Sequence, residues 1–400
     1  MTMTKGLLLG AALMLVTAPA LAETAVKIGV LNDRSGIYAD LSGEGSVIAA
    51  RMAVEDYGAA TKGITVEIIS ADHQNKPDIA SNIARQWYDQ DGVDLIVDVP
   101  TSSAAFAVSD ITKEKNKIFM NSGAGSADLT GAKCSPNTIH WTYDTWALAH
   151  GTGNAVVKTG GKTWFFITAD YAFGQALETD TSAVVKAAGG EVLGSVKHPF
   201  PGTDFSSYLL QAQASGAQVI GLANAGGDTV NTIKQAAEFG ITQAGQSLAG
   251  LLIFITDIHA LGLQTAQGLV MTEAFYWDLN DDTRAWSKRF AELNAGKMPT
   301  MVHAGVYASV LHYLKSVEAT GGKDTAALLA SMKATPTSDP LFGNGEMRAD
   351  GRVTHDMYLF KVKSPADSKG PWDYYETLAT IPAAEAFRPL ADGGCPTAAQ

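Results

Sequence analysis

The stretch WFFITADYAFGQALETD, residues 164–180, decides the fold. Its apolar residues run into Thr168 as in a buried strand, and the segment from Ala176 onward has a helical pattern. Between them lies the loop ADYAFG, which carries two aromatic rings, Tyr171 and Phe173. Rings at the mouth of a loop usually pack against something. The stretch therefore predicts a strand, loop and helix unit whose loop faces a cleft.

The same unit recurs along the chain. Short β-branched runs alternate with helical patterns from Val26 to about Met271, which is the signature of parallel sheets covered by helices. Breaks without a sustained period occur at residues 129–145 and 270–278. The predicted strands are VKIGVL (26–31), TVEIIS (65–70), DLIVDV (94–99), KIFMNS (117–122), TWFFIT (163–168), EVLGSV (191–196), QVIGLA (218–223) and LLIFIT (251–256). Two consecutive sheets with later segments left over predict an α/β protein of two doubly wound lobes that are joined by more than one crossing.

The N-terminal segment has the features of a secretory signal. Residues 1–22 contain one lysine, an apolar run and a final Ala20-Leu21-Ala22. A membrane anchor is the weaker alternative, because the apolar run is short for a bilayer span. We expect cleavage near Glu23 and export of the mature chain.

The net charge limits the classes of binding partner, and the cysteine content predicts a disulfide. The formal net charge is −12, and removal of Lys5 with the signal makes it −13, which argues against nucleic acid as a partner. The two cysteines, Cys134 and Cys395, are too few and too far apart for a zinc ribbon. In an exported chain such a pair is more often bonded than free, so we predict a disulfide.

Templates for catalysis and for metal binding are missing from the sequence. There is no HExxH motif, no G-x-S-x-G elbow and no close His/Cys cluster, and GAGSAD has Asp128 where a dinucleotide fingerprint needs glycine. We therefore expect no metal, no cofactor and no enzymatic activity. A secreted hydrolase or amidase with an unrecognised triad is the alternative of another class.

Small-residue loops follow four of the predicted strands, and in open α/β sheets ligands bind beyond these strand ends. The loops are VPTSSA (99–104), NSGAGSADLT (121–130), TADYAFG (168–174) and NAGGDT (224–229). Backbone N–H groups and positive helix ends there suit a carboxylate. The hydroxyls of Ser102, Ser103 and Ser126 would add donors, although serines at helix starts also serve as ordinary N-caps.

Two groups of aromatic residues are candidates for ligand contact. Tyr171 and Phe173 lie on a loop at the predicted cleft, which favours contact with the ligand. Trp141, Tyr143 and Trp146 lie in the first break, and packing of a hinge between the lobes is the favoured interpretation.

The order of these motifs resembles a known family. KIGVL-x-DRSG-x-Y near the mature N-terminus, DVPTSSA, NSGAGSADLT, ITADYAFG and NAGGDTVNTIKQAAEFGI together are similar to the periplasmic substrate-binding proteins of branched-chain amino acid type ABC importers. The resemblance runs from Val26 to about Phe360. It implies a type I periplasmic binding fold, with about three crossover segments and the ligand buried between closing lobes. On this basis we place lobe 1 at residues 23–143 with 276–342 and lobe 2 at residues 144–275 with 343–400.

The resemblance also implies a binding site. In the family, a serine hydroxyl and backbone groups of the first lobe hold the ligand carboxylate, and aromatic residues of both lobes cap it. The matching positions are Tyr38, Ser102, Ala124, Gly125, Ser126 and Phe173, with Tyr171 close by. The predicted site also includes Ser103, a candidate donor at a helix start, and Asn224 and Phe254 at further strand ends of the second lobe.

One departure from the family bears on the ligand. Amino-acid binders place a carboxylate after the strand that LLIFITD matches, where it receives the ligand ammonium, whereas here Asp257 is displaced by several residues. An unpaired buried ammonium costs several kcal/mol. We therefore expect an aromatic or hydrophobic acid without an α-amino group, and the sequence also resembles family members associated with aromatic-acid uptake. The alternative is an aliphatic amino acid, with Asp257 or Asp228 reaching in.

The resemblance further implies partners. A closed monomer would deliver the carboxylate to an ABC permease in the inner membrane. A ligand-sensing module of a signalling system shares the fold and remains a third interpretation.

Overall fold

The computed structural model describes residues 24–396 and 398, so the predicted signal peptide at residues 1–22 lies outside the described residues. The strands are β1 (Thr24–Asn32), β2 (Ile64–Asp72), β3 (Leu95–Asp98), β4 (Ile118–Asn121), β5 (Thr138–His140), β6 (Thr163–Ala169), β7 (Glu191–His198), β8 (Val219–Ala223), β9 (Ser247–Gly250), β10 (Val270–Glu273), β11 (Thr337–Asp339), β12 (Gly343–Met347), β13 (Val353–Thr354), β14 (Met357–Val362) and β15 (Tyr375–Ile381).

The α-helices are α1 (Gly43–Tyr57), α2 (Pro77–Asp89), α3 (Ser102–Glu114), α4 (Thr145–Leu148), α5 (Asn154–Lys158), α6 (Ala172–Ala187), α7 (Ser206–Ala214), α8 (Gly227–Glu238), α9 (Ile255–Leu261), α10 (Leu263–Ala266), α11 (Asp281–Leu293), α12 (Met301–Thr320), α13 (Thr325–Ala334) and α14 (Ala383–Ala386). A π-helical turn, Ala149–Gly153, joins α4 to α5, and short 3₁₀ turns lie at Ala59–Lys62, Ala127–Thr130 and Leu390–Asp392.

The first lobe is a five-stranded parallel sheet in the order β2-β1-β3-β4-β5. Alternate residues of its strands point to opposite faces, as the period of a strand requires. Leu95 and Val97 of β3 join the core under α1 and α12, whereas Ile96 joins the core under α2 and α3. Because both faces are covered, the inner strands β3 and β4 are buried on both sides, whereas the edge strand β2 is partly exposed.

The second lobe is a four-stranded parallel sheet in the order β7-β6-β8-β9. Phe166 of β6 packs with residues of α6, and Ile167 packs with residues of α7, α8 and α9 on the other face. The predicted strand at residues 251–256 is wrong, because the last strand is β9 and α9 begins at Ile255. A short apolar run indicates burial but does not by itself distinguish a strand from a buried helix start.

The later segments connect the two lobes. The chain passes between the sheets after β5, after β10, and between β13 and β14, while α12 returns to pack against α1. An antiparallel sheet, β10-β14-β15, adjoins β9, and a second one, β11-β12-β13, lies near α13. The predicted α/β class with two lobes and about three crossings is confirmed, whereas the residue boundaries of the lobes stay a prediction.

The predicted disulfide is confirmed. Cys134 and Cys395 are bonded, with their Cα atoms 5.5 Å apart. The bond fastens the C-terminal tail to the segment that follows β4, on the first lobe. In the part of the chain that the structure describes, every helix is too short or too polar to span a bilayer.

Candidate ligand-binding site

An aromatic pocket lies where the strand-end loops of the two lobes meet. The cavity between the lining side chains measures about 10 Å³, at the lower limit of the space that one water molecule needs. In this closed arrangement the side chains therefore fill the pocket, and a ligand can enter only if they move. The lining residues are Tyr38, Leu41, Pro100, Gly123, Gly125 and Tyr143 from the first lobe and its crossover, and Tyr171, Phe173, Ala225, Leu252 and Phe254 from the second lobe.

Tyr38 is positioned by the loop after β1. The Asp33 carboxylate accepts hydrogen bonds from the backbone N–H groups of Gly36 and Tyr38, at 2.7 and 2.9 Å. Such a turn around an aspartate is a common use of this side chain, and it explains why the sequence reads DRSG before the tyrosine. The loop holds the Tyr38 ring toward the second lobe, where the residue is 3% exposed.

The first turn of α3 follows the lining residue Pro100 and carries no side-chain cap. Its N-cap is Thr101, and the Thr101 hydroxyl donates to the side chain of Asn75 instead of accepting from the helix. Ser102 is the first helical residue, so it does not serve as the N-cap. An uncapped helix start offers backbone N–H groups and a positive dipole end to an anion.

The SGAGS loop lies beside this helix start. The Ser102 hydroxyl accepts a hydrogen bond from the Ser126 N–H at 3.2 Å. The Ser126 hydroxyl is buried and makes no hydrogen bond, whereas the Ala124 N–H already donates to Asn121 at 2.9 Å. Gly125 lines the pocket itself. The loop thus brings an unpartnered hydroxyl within one residue of the pocket wall.

Tyr171 and Phe173 begin α6 on the second lobe. Tyr171 is the N-cap residue and Phe173 lies in the first turn, so the helix starts earlier than its sequence pattern suggests. The Tyr171 hydroxyl lies 2.6 Å from the Tyr38 hydroxyl of the first lobe. Phe200 stacks on Tyr171 with ring centroids 4.1 Å apart and lies 5.6 Å from the Tyr38 ring. Burial raises the pKa of both tyrosines, so both hydroxyls stay neutral.

The far wall of the pocket is apolar. Phe254 is fully buried and meets the Tyr143 ring edge-on, with centroids 6.2 Å apart. Two acids lie nearby without lining the pocket. Asp257 accepts the Phe254 N–H and Asp228 accepts the Gly202 N–H, both at 2.9 Å. Burial raises the pKa of each carboxyl to about 7.

Tyr143 comes from the first crossover. The sequence favours packing of a hinge for this residue, whereas the structure places it in the pocket lining. The buried Arg352 holds this crossover by donating to the carbonyls of Trp141 and Tyr143, at 2.6 and 3.2 Å. The Tyr143 hydroxyl donates to the Gly123 carbonyl. Trp141 is buried away from the pocket, and Trp146 stacks on a histidine outside it.

The structure brings most of the predicted site residues together. Tyr38, Gly125, Tyr171, Phe173 and Phe254 line the pocket, and Ser102, Ala124 and Ser126 lie next to lining residues. Two lie elsewhere. Ser103 lines a separate groove on the flank of α3, and the Asn224 side chain hydrogen-bonds Thr232 and His198 inside the second lobe.

Sequence reasoning missed six lining residues: Leu41, Pro100, Gly123, Tyr143, Ala225 and Leu252. Ala225 and Leu252 lie just beyond β8 and β9, so their position after a strand was the available signal. Their small or apolar side chains carry no chemistry that would draw attention to them.

Two α/β lobes that close on a shared pocket, with several crossings between them, define a two-lobed solute-binding protein. The chain matches the family described as periplasmic binding protein over residues 25–370, and it belongs to that family. It has the type I periplasmic binding fold.

Relatives and solved structures agree with this assignment. A periplasmic binding protein of Burkholderia mallei is 51% identical, with a TM-score of 0.91 over 94% of this chain and 99% of that chain. A branched-chain amino acid ABC transporter periplasmic ligand-binding protein of Burkholderia xenovorans is 41% identical, with a TM-score of 0.82 over 93% and 99%. The Leu/Ile/Val-binding protein homolog 6 of Brucella melitensis is 26% identical over 86% of this chain and 88% of its own length.

The protein is accordingly a substrate-binding protein of an ABC transporter. A solute-binding protein of R. palustris, solved in complex with benzoate, shares the fold with a TM-score of 0.81 over 93% and 99% of the two chains, at 23% identity. Within residues 24–396, no group of three or more His, Cys, Asp or Glu side chains is arranged to hold a metal ion.

Proposed function

We propose that this protein captures a small carboxylate, an aromatic or hydrophobic acid without an α-amino group, between its closing lobes. It would work in the periplasm as a monomer and deliver the acid to an inner-membrane permease. The composition of the pocket lining is the observation that supports this ligand class. Five of the eleven lining residues are aromatic, and none of the eleven is acidic or basic.

The first lobe supplies the elements that would hold the carboxylate. The uncapped start of α3 and the unpartnered Ser126 hydroxyl lie beside the lining residues Pro100 and Gly125. Hydrogen bonds to a charged group contribute about 1.5 to 3 kcal/mol each. Dipoles and hydroxyls can therefore hold an anion without a cationic side chain, as helix starts commonly do.

The aromatic rings of the pocket suit the flat apolar part of the ligand. Tyr143 and Phe254 already meet edge to face, an arrangement that contributes about 0.5 to 1.5 kcal/mol beyond burial. The fold is known to admit such a ligand, since the R. palustris neighbour was solved with benzoate. That neighbour supports the compatibility of the fold alone.

An ammonium group has no partner in this pocket. Leu252 lines the wall after the last strand of the second lobe, and Asp257 is turned to the Phe254 N–H. A buried charge without a partner costs several kcal/mol. An α-amino acid would thus be disfavoured in the closed state.

Branched-chain amino acids are the second candidate, because relatives at 26% and 41% identity carry that description. Asp228 is the residue that could receive an ammonium, since one of its carboxylate oxygens is buried without a hydrogen bond, 3.9 Å from His198 Nδ1. Reaching the pocket would require movement of the helix start that carries it.

A ligand screen tests the proposal. Ligand-free protein is titrated by calorimetry with benzoate, cinnamate, leucine and valine, and its Tm is recorded with each. We expect binding and a raised Tm with at least one aromatic acid and no response to the amino acids. Binding of leucine or valine with no response to either acid would overturn the proposal in favour of the second candidate.

A matched pair of serine variants locates the anion. Ser102→Ala should weaken the bound acid by about tenfold, the loss expected for one charge-assisted hydrogen bond. Ser103→Ala removes the same group from the flank groove and should leave affinity unchanged. Equal affinities in the two variants would place the carboxylate away from the start of α3.

A further inference from the structure

Three tyrosine hydroxyls are the polar side-chain groups among the eleven described residues that line the pocket. The Tyr143 hydroxyl is committed to the Gly123 carbonyl. The hydroxyls of Tyr38 and Tyr171 contact each other at 2.6 Å, and either one can be the donor. Each hydroxyl can donate one hydrogen bond and accept two. Their mutual bond therefore uses one proton and leaves one O–H group and several lone pairs of the pair unassigned.

The surroundings of this pair are largely closed to solvent, since Tyr38 is buried and Tyr171 is half-buried. Tyr38 is 3% exposed, and Phe200 covers both rings, stacking on Tyr171 at 4.1 Å and lying 5.6 Å from Tyr38. The Phe200 loop is itself held down, because the Gly202 N–H donates to Asp228 on α8 at 2.9 Å. A buried donor without a partner is destabilising, so the spare O–H gains from a polar group that the ligand brings.

We infer that Tyr38 and Tyr171 form a specificity-determining pair that recognises one uncharged hydrogen-bonding substituent on the ligand, such as a ring hydroxyl. This inference deepens the proposed function and rests on it. The preferred acid then has a carboxylate at the first-lobe end, a flat apolar body and a hydroxyl at the tyrosine pair. A second carboxylate at that position is disfavoured, since the tyrosine pair has one spare O–H group to offer it.

The competing interpretation is a simple latch between the lobes. In that case the Tyr38 and Tyr171 hydroxyls only stabilise closure, and their removal weakens every ligand by the same factor. A specificity role predicts a loss confined to ligands that carry the hydroxyl. The ratio of two affinities separates the two interpretations.

The experiment compares parent acids with their hydroxylated forms. Calorimetry gives the affinity of benzoate, its three monohydroxy isomers, cinnamate and 4-hydroxycinnamate for the wild type, Tyr38→Phe, Tyr171→Phe and the double variant. Tyr358→Phe is the control, because it removes a tyrosine hydroxyl from β14, away from the pocket.

We expect the wild type to bind at least one hydroxylated acid about tenfold more tightly than its parent, the ratio that one good hydrogen bond provides. The double variant should bring that ratio near one, because the hydroxylated acid loses more affinity than the parent acid does. An unchanged ratio, a wild type without any preference, or an equal loss for both forms would each overturn the inference. Failure of every aromatic acid to bind the wild type would instead overturn the proposed function.

Discussion

Asp257 is a carboxylate whose environment opposes its ionisation. The residue is 6% exposed, and burial, with a smaller contribution from Asp40, raises its pKa to about 7. An ordinary aspartate in the unfolded chain has a pKa of about 3.9. The folded state therefore binds the proton more tightly, and stability falls as the pH rises from about 4 to about 7. Above that range the full destabilisation from the ionised group is present.

Asp257→Asn tests this residue. The amide oxygen can still accept the Phe254 N–H and carries no charge, so the variant should melt above the wild type at pH 8.5 by roughly 2 °C or more. The two proteins should converge near pH 4.5, where Asp257 is protonated in the folded state. Thermal unfolding followed by circular dichroism across this range gives the difference. A constant offset at all pH values would contradict the raised pKa.

Among the secondary-structure elements, the sequence predicted the strands and helices whose position follows from apolar periodicity and burial. The strand and helix alternation located β1 to β4 and β6 to β8, because the inner strands are buried and apolar on both faces, while the edge strands β2 and β7 still carry β-branched residues. The same apolar signal at residues 251–256 does not mark a strand, since these residues form the buried turn after β9 and the first residues of α9. Tyr143 was assigned to the hinge because its role depends on Arg352, more than 200 positions away along the chain. Contacts of that range leave no local pattern.

The SGAGS loop illustrates an element whose role depends on close approach. A Cβ atom added at Gly125 would lie 2.8 Å from the Phe173 ring and 2.9 Å from the Tyr143 ring, well inside ordinary contact distance. Gly125→Ala should therefore obstruct closure and weaken the best acid of the screen by about tenfold or more, while the ligand-free Tm changes little. Gly322→Ala is the control, because nothing lies within 4 Å of its added Cβ. Wild-type affinity in the Gly125→Ala variant would show that the Phe173 and Tyr143 rings shift to accommodate the added methyl group.

The whole molecule is arranged as two lobes in a closed state. Between the lobes, the Gly227 N–H donates to the Ile37 carbonyl at 3.3 Å, and the Tyr38 hydroxyl lies 2.6 Å from the Tyr171 hydroxyl. If capture proceeds by closure, a ligand must enter and leave through separation of these surfaces. Ligand binding then shifts the equilibrium from the open to the closed form, and the size of the shift depends on the contacts that the ligand makes only in the closed form.

A covalent bond across the seam tests this motion. A Cβ built at Gly227 lies 3.1 Å from the Ile37 Cβ, slightly closer than the roughly 3.5 to 4.5 Å of disulfides, so Ile37→Cys with Gly227→Cys should form a bond after a small shift. The native cysteines are already paired with each other. Oxidised without ligand, the double variant should take up acid at least 100-fold more slowly than the wild type, and oxidised with ligand it should retain the acid through dialysis. The single variant Gly227→Cys and the wild type, treated with the same oxidant and reductant, control for effects on the native bond. Uptake and release at wild-type rates in the cross-linked protein would mean that the ligand does not pass between the lobes.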